Sequence, residues 1–131
     1  MADHPNAAAM RAALEAFVAG DADALLGALD DDIVWHAPGT NRFSGRFDGK
    51  AEVAGRFRRM AAAGVESAFD VHDVVGNDEH VIALVHSTVE DASGRRYEGP
   101  QVQVMHMREG KATEFWGMNQ DQAAQDVVLG T

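Results

Sequence analysis

The chain contains no cysteine, which excludes disulfides, thiolate nucleophiles and Cys-based zinc sites. Basic residues are scarce: 11 Lys and Arg stand against 21 Asp and Glu, for a formal charge of −10. That balance argues against a nucleic-acid partner, whose phosphates need a basic face, and against an anionic membrane surface. No apolar run approaches the ~20 residues of a membrane span. The amino-terminal MADHPNAAAMRAALEAF has no basic stretch followed by an apolar one, so it does not read as a signal peptide, and a cytoplasmic location is expected. Only one tyrosine is present, Tyr97. Internal repeats, linkers and low-complexity segments are also missing, apart from an alanine-rich start.

What is present suits a folded domain. The 131 residues are 46% apolar and 24% charged, enough to build a core and unlike a disordered chain. A single domain over residues 1–131 is expected. The basic residues cluster once, at Arg56, Arg58 and Arg59, which reads as the solvated face of a helix.

The first segment reads as a helix, with Asp3 as N-cap and Pro5 in the first turn. Met10, Ala13, Leu14 and Phe17 fall at i, i+3, i+4, i+7 and make one apolar face. Gly20 stops it, and Asp21 caps a short second helix with Leu25, Leu26 and Leu29 inward. A strand follows over Ile33–Ala37, then a loop with Pro38, Gly39, Gly45 and Gly49. A third helix spans about Lys50 to Ala63, with Val53, Phe57 and Met60 buried and all three arginines outward. From there the period changes to two, and Ser67–Val75, His80–Glu90, Arg95–Arg108 and Lys111–Met118 read as strands joined by tight turns. A short helix over Asp121–Leu129 closes the chain. Helices first and strands as a run is the α+β pattern, with an antiparallel sheet wrapped around the helices.

Four stretches in this order resemble one family. They are "FVAGDADALLGAL" at the end of the first helix, "LDDDIVWHAPG", "FDGKAEVAGRFRRM" and "VMHMREGKATEFWGMNQD". Together they resemble the nuclear transport factor 2-like superfamily, in its SnoaL-like and ketosteroid-isomerase-like branch. The resemblance implies a cone, in which a curved antiparallel sheet wraps around N-terminal helices and leaves an internal apolar pocket. It also implies a homodimer through the convex sheet face.

Alternate residues of a strand share a face. Val34 and His36 therefore point one way, Ile33 and Trp35 the other. Isomerases of this branch carry their catalytic aspartate on the corresponding strand, and laying the patterns together puts His36 there, facing the pocket. A histidine, with an ordinary pKa of about 6.5, suits proton transfer near neutrality. Asp48, Asp73 and Glu114 are the candidate acidic partners. By the same comparison Gln103 occupies the place of an oxyanion donor, and Asn119 that of an aspartate acid/base in other SnoaL-like enzymes. Ala13 replaces the isomerases' tyrosine. The expected catalytic set is thus His36, Gln103 and Asn119. The expected ligand-binding lining is Leu14, Phe17, Val34, Phe43, Phe57, Met60, Gln101, Met105, Phe115 and Gly117.

The histidines offer no i, i+2 or i, i+4 pair of a recurrent metal site, so neither metal nor cofactor is expected. His86 and His106 are expected to meet on the convex face. Two functions remain open on these residues. One is an enzyme in which His36 moves a proton on a small, mainly apolar substrate by isomerisation, cyclisation, dehydration or hydrolysis. The other is a non-catalytic, dimeric module that binds a small apolar ligand.

Overall fold

The computed structural model describes residues 3–131. Helices α1 (Pro5–Val18) and α2 (Ala22–Gly27) lead into β1 (Leu29–Ala37) and β2 (Gly45–Asp48); helix α3 (Lys50–Ala62) follows. The strands β3 (Glu66–Gly76), β4 (His80–Glu90), β5 (Arg96–Arg108) and β6 (Lys111–Asn119) then run in series, before α4 (Gln122–Leu129). The architecture is α+β, with a curved open sheet over the N-terminal helices.

The six strands form one sheet in the order β2-β1-β6-β5-β4-β3. Residues 45–48, expected as loop, form the edge strand β2, paired antiparallel to β1. The sheet is not wholly antiparallel. β1 and β6 run parallel, with Trp35 opposite Phe115 and His36 opposite Trp116. The meander β3–β6 is antiparallel throughout. It begins only after α3, so β1 joins the meander's last strand rather than its first.

Local chemistry explains the helix ends. Pro5 opens α1 without losing a hydrogen bond, since the first turn has no acceptors for its N–H. The cap is His4 rather than Asp3: the Asn6 backbone N–H donates to His4 Nδ1 at 3.1 Å. Asp21 caps α2 as expected, accepting from the Ala24 N–H at 3.1 Å. Inward-facing Ala7, Met10, Ala13 and Leu14 bury one side of α1, which packs against α2, β3 and β4.

β4 alternates cleanly. Val81, Ala83, Val85, Ser87 and Val89 are buried, while His80, Ile82, Leu84 and His86 face outward. A second cluster, Phe43, Met60, Val65, Val89, Tyr97, Val128 and Leu129, packs α4 and the 38–44 loop against the ends of α3, β4 and β5.

Candidate functional site

β1 shows how the sheet distributes its residues. Leu29, Ile33, Trp35 and Ala37 are buried in the main core. The intervening Asp30, Asp32, Val34 and His36 belong to the other face. Residues 34 and 36 do share a side, as do 33 and 35, but the inward side is the reverse of that expected. Trp35 faces the concave side and stacks on Phe115, with centroids 3.8 Å apart and planes 12° apart. Its edge meets Phe57 at 5.7 Å. His36 lies on the convex face, stacked on Trp116 at 5.1 Å. It also pairs with Glu114, Nε2 to Oε2 at 2.7 Å. Burying an indole removes far more apolar area from water than burying an imidazole, so this strand turns its tryptophan inward.

On the concave side is a hollow with about 790 Å³ of space between atoms, open solvent at its mouth included. Aromatic rings make its walls: Phe17, Trp35, Phe57, Phe69 and Phe115. Phe17 touches both Phe57 at 5.3 Å and Phe69 at 5.8 Å. Of the expected lining, Leu14, Phe17, Phe57, Met60, Gln101, Phe115 and Gly117 border it, and so does Gln103. Three residues do not. Val34 is on the convex side with His36. Phe43 packs in the second cluster under α4. Met105 is fully enclosed in the main core. Asn119 sits behind the wall, where it accepts from Gln101.

The outward placement expected for Arg56 also needs correction. Arg58 and Arg59 are exposed, whereas Arg56 is partly buried and borders the hollow. Its Nε donates to the Phe43 carbonyl at 2.9 Å. Burial, with Arg59 nearby, pushes its pKa down to about 10, still charged at neutral pH. Arg56 is the only side chain with an acid–base function among the described residues that line the hollow. Helical spacing does mark it: Arg56 lies three residues after Val53 and four before Met60, on the stripe those residues bury, although it also belongs to the basic cluster with Arg58 and Arg59. Ser87, also on the lining, shares the parity of the buried Val81, Ala83, Val85 and Val89, whereas Gln125 reaches the lining from α4.

The polar side of the hollow is a series of carboxamides. Gln103 Nε2 donates to Gln101 Oε1 at 2.8 Å, and Gln101 Nε2 to Asn119 Oδ1 at 2.9 Å. Asn119 Nδ2 donates to Gln122 Oε1 at 2.8 Å and to Gln125 Oε1 at 3.0 Å. Gln122 Nε2 donates to both Asp126 Oδ1 and Gln125 Oε1, each at 2.9 Å. Asp126 also accepts from the Asn41 Nδ2 and from the Thr40 backbone N–H and hydroxyl. Burial alone would raise the Asp126 pKa, but the bonds from Asn41, Gln122 and Thr40 outweigh it and hold the carboxyl below its ordinary value. At the other end Gln103, 3% exposed, has a buried Oε1 with no partner among the described residues.

On the convex side, register lines up Ile82, Val104 and Trp116, and then Leu84, Val102 and Met118. Ile82, Leu84 and Met118 are 37%, 40% and 52% exposed, enough to make a contiguous apolar patch. His80 meets His106 there at 5.1 Å. The expected partner of His106, His86, instead lies near Glu98 at 3.9 Å. No group of three or more His, Asp or Glu side chains is clustered to hold a metal ion among the described residues. No helix is long and apolar enough to cross a membrane among the described residues.

The curved six-stranded sheet over N-terminal helices is the nuclear transport factor 2-like fold. Within it, the model of the SnoaL-like domain matches residues 10–115, and the chain belongs to that family. No curated protein matches it by sequence. An NTF2-like protein of unknown function from Burkholderia pseudomallei superposes with a TM-score of 0.86 at 23% identity, covering 98% of this chain and 99% of that one. A candidate polyketide cyclase from Xanthomonas campestris gives 0.72 at 26% identity, covering 94% and 96%. An LEH-like epoxide hydrolase from M. tuberculosis gives 0.72 at 21% identity, covering 94% and 90%.

Proposed function

We propose that the hollow binds a small, flat, mainly apolar molecule without performing proton-transfer chemistry on it. The observation that carries this is the lining itself: five aromatic rings, several amides and hydroxyls, and Arg56 as its only acid–base group among the described residues. General acid–base catalysis needs a group within hydrogen-bond reach of the proton, with a pKa near the working pH. A guanidinium cannot be that base. His36, the residue best suited on intrinsic pKa, is on the other side of the sheet, engaged with Glu114. A charge drawn out of water without a carboxylate beside it gains from an anionic or carbonyl oxygen on the ligand. That favours a ring compound bearing a carboxylate or similar oxygen facing Arg56.

The chain carries its own reporter for this. In a Trp116→Phe variant, Trp35 is the remaining tryptophan, and it lines the hollow. Titration with 2-naphthoate is expected to change its fluorescence saturably. Arg56→Met is expected to weaken 2-naphthoate by about tenfold, as for loss of one charge-assisted hydrogen bond, with naphthalene unaffected. An unsaturable response to both compounds sinks the proposal.

The convex patch supports the second half of the expectation, a homodimer through that face. Exposed contiguous apolar surface of this kind marks an interface, and a second copy presents the same uncharged patch to itself. Leu84→Glu is expected to shift sedimentation from dimer to monomer without loss of secondary structure. A wild-type chain that is monomeric at tens of micromolar rules this interface out.

A further inference from the structure

Four carboxamides in and behind the wall of the hollow point the same way, and a fifth, Gln125, accepts from two of them. Each of the four donates its N–H toward Asp126 and turns its oxygen toward Gln103, from Gln103 through Gln101 and Asn119 to Gln122. A carboxamide reads equally well in either orientation unless a neighbour decides it. Gln125 Oε1 accepts from both Gln122 and Asn119, but as an amide it can turn over; the neighbour that decides is Asp126, which as a carboxylate can only accept. It forces Gln122 to present Nε2, which turns Gln122 Oε1 to Asn119. Asn119 must then present Nδ2, Gln101 its Nε2 to Asn119, and Gln103 its Nε2 to Gln101. The last free group of the series is the Gln103 oxygen, buried and unpartnered among the described residues. An unpartnered buried acceptor costs free energy until something donates to it.

We infer that the ligand of this hollow carries a hydroxyl or N–H group donated to Gln103 Oε1, and that Asp126 sets this requirement through the carboxamide series. Gln103 would touch the ligand. Asp126 is a positioning residue, four side chains removed from it. The inference rests on the proposed binding function and adds to it a polarity: a donor at Gln103, beside the acceptor facing Arg56. A phenol, an enol or an amine meets the requirement at Gln103, and an ether, a ketone or a halide does not.

The test compares two nearly isosteric probes, 2-naphthol and 2-fluoronaphthalene, which differ in having a proton to give. Dissociation constants come from Trp35 fluorescence in the Trp116→Phe chain. The unsubstituted series is expected to favour 2-naphthol by about tenfold, the scale of one satisfied buried hydrogen bond. Gln103→Leu, which keeps the shape and removes the acceptor, is expected to abolish the preference by weakening 2-naphthol alone. In Asp126→Asn the new amide can donate as well as accept, so the series is free to reverse and offer Gln103 Nε2. There the preference is expected to fall below about threefold while 2-fluoronaphthalene binds as before, a pattern that loss of folding would not give. Equal binding of the probes by the parent chain overturns the inference and leaves the binding function standing. An undiminished preference in Asp126→Asn overturns the role of Asp126. Failure of both probes and of 2-naphthoate to bind overturns the binding function, and the inference with it.

Discussion

Trp35→Ala is expected to cost the fold about 3–5 kcal/mol, and His36→Ala, one residue on, less than about 1 kcal/mol. The indole is 6% exposed. A tryptophan buries roughly 200 Å², which at about 25 cal/mol per Å² comes to about 5 kcal/mol. Removing it leaves Phe115 without its stacking partner at 3.8 Å and Phe57 without the ring it meets edge-on. Both rings line the hollow, so the walls would collapse inward or flood. His36 has a different account to lose. Its side chain is 31% exposed and that of Glu114 30%, so solvent screens the pair and discounts it toward the surface value. Its stacking on Trp116 adds a little. Urea denaturation of the two variants, compared at equal m-values, measures the difference directly. With total stabilities of about 5–15 kcal/mol, Trp35→Ala is expected to sit near the edge of folding, and His36→Ala to be close to the parent. Equal losses would mean that the two side chains are not divided between core and surface as described.

The same two residues show how far the sequence could be read. The strand, its parity and the pairing of 33 with 35 and of 34 with 36 are all legible from period two. The choice of inward face was legible as well. Ile33, Trp35 and Ala37 share one parity, and their summed apolar area outweighs that of Val34 alone; Leu29, expected on the second helix, is instead the first residue of β1 and buried in the same core. The likeness of His36 to a catalytic aspartate points to the opposite face, but it rests on one short motif, and the summed apolar burial decides the orientation. Glu114 is the acid that meets His36, but it does so on the convex side, where the pair cannot act on anything in the hollow. β2 leaves no mark in the sequence because four residues, Gly45–Asp48, are too few to display a period. The carboxamide series was beyond reach for another reason. Gln101 and Gln103 alternate on β5, but Asn119, Gln122 and Asp126 come from the end of β6 and from α4. Only the packing of α4 against β4 and β5 brings them together, and no spacing in the sequence records a direction of hydrogen bonding.

The second large effect is expected at Gly39, where the turn after β1 meets α4. Its φ is +89°, a conformation that a residue with a Cβ adopts at a cost of about 1–3 kcal/mol. A Cβ there would also overlap the Asp126 carboxylate and the Gln122 amide. Both are anchors of the carboxamide series, and Asp126 also holds the turn itself through Thr40 and Asn41. The side chain is therefore opposed twice, by the backbone and by the ends of the Asp126 and Gln122 side chains, which would have to leave their hydrogen bonds to admit it. Gly94 separates the two causes, since its φ is +91° and a Cβ on it would meet nothing within 4 Å. Gly94→Ala is expected to show the backbone cost alone, and Gly39→Ala clearly more, read as the difference in their urea midpoints. Shortening the obstacle checks the clash itself. In an Asp126→Ala background the extra cost of Gly39→Ala is expected to shrink, a coupling that a double-mutant cycle isolates because the two residues touch. Any Gly39→Ala chain that still folds must move Asp126 aside, which releases the direction of the amides and with it the preference for 2-naphthol over 2-fluoronaphthalene. Matching costs at Gly39 and Gly94, with no coupling to residue 126, would show that the turn yields without disturbing the carboxylate. In that case the link between the Pro38–Gly39 turn and the wall of the hollow does not hold.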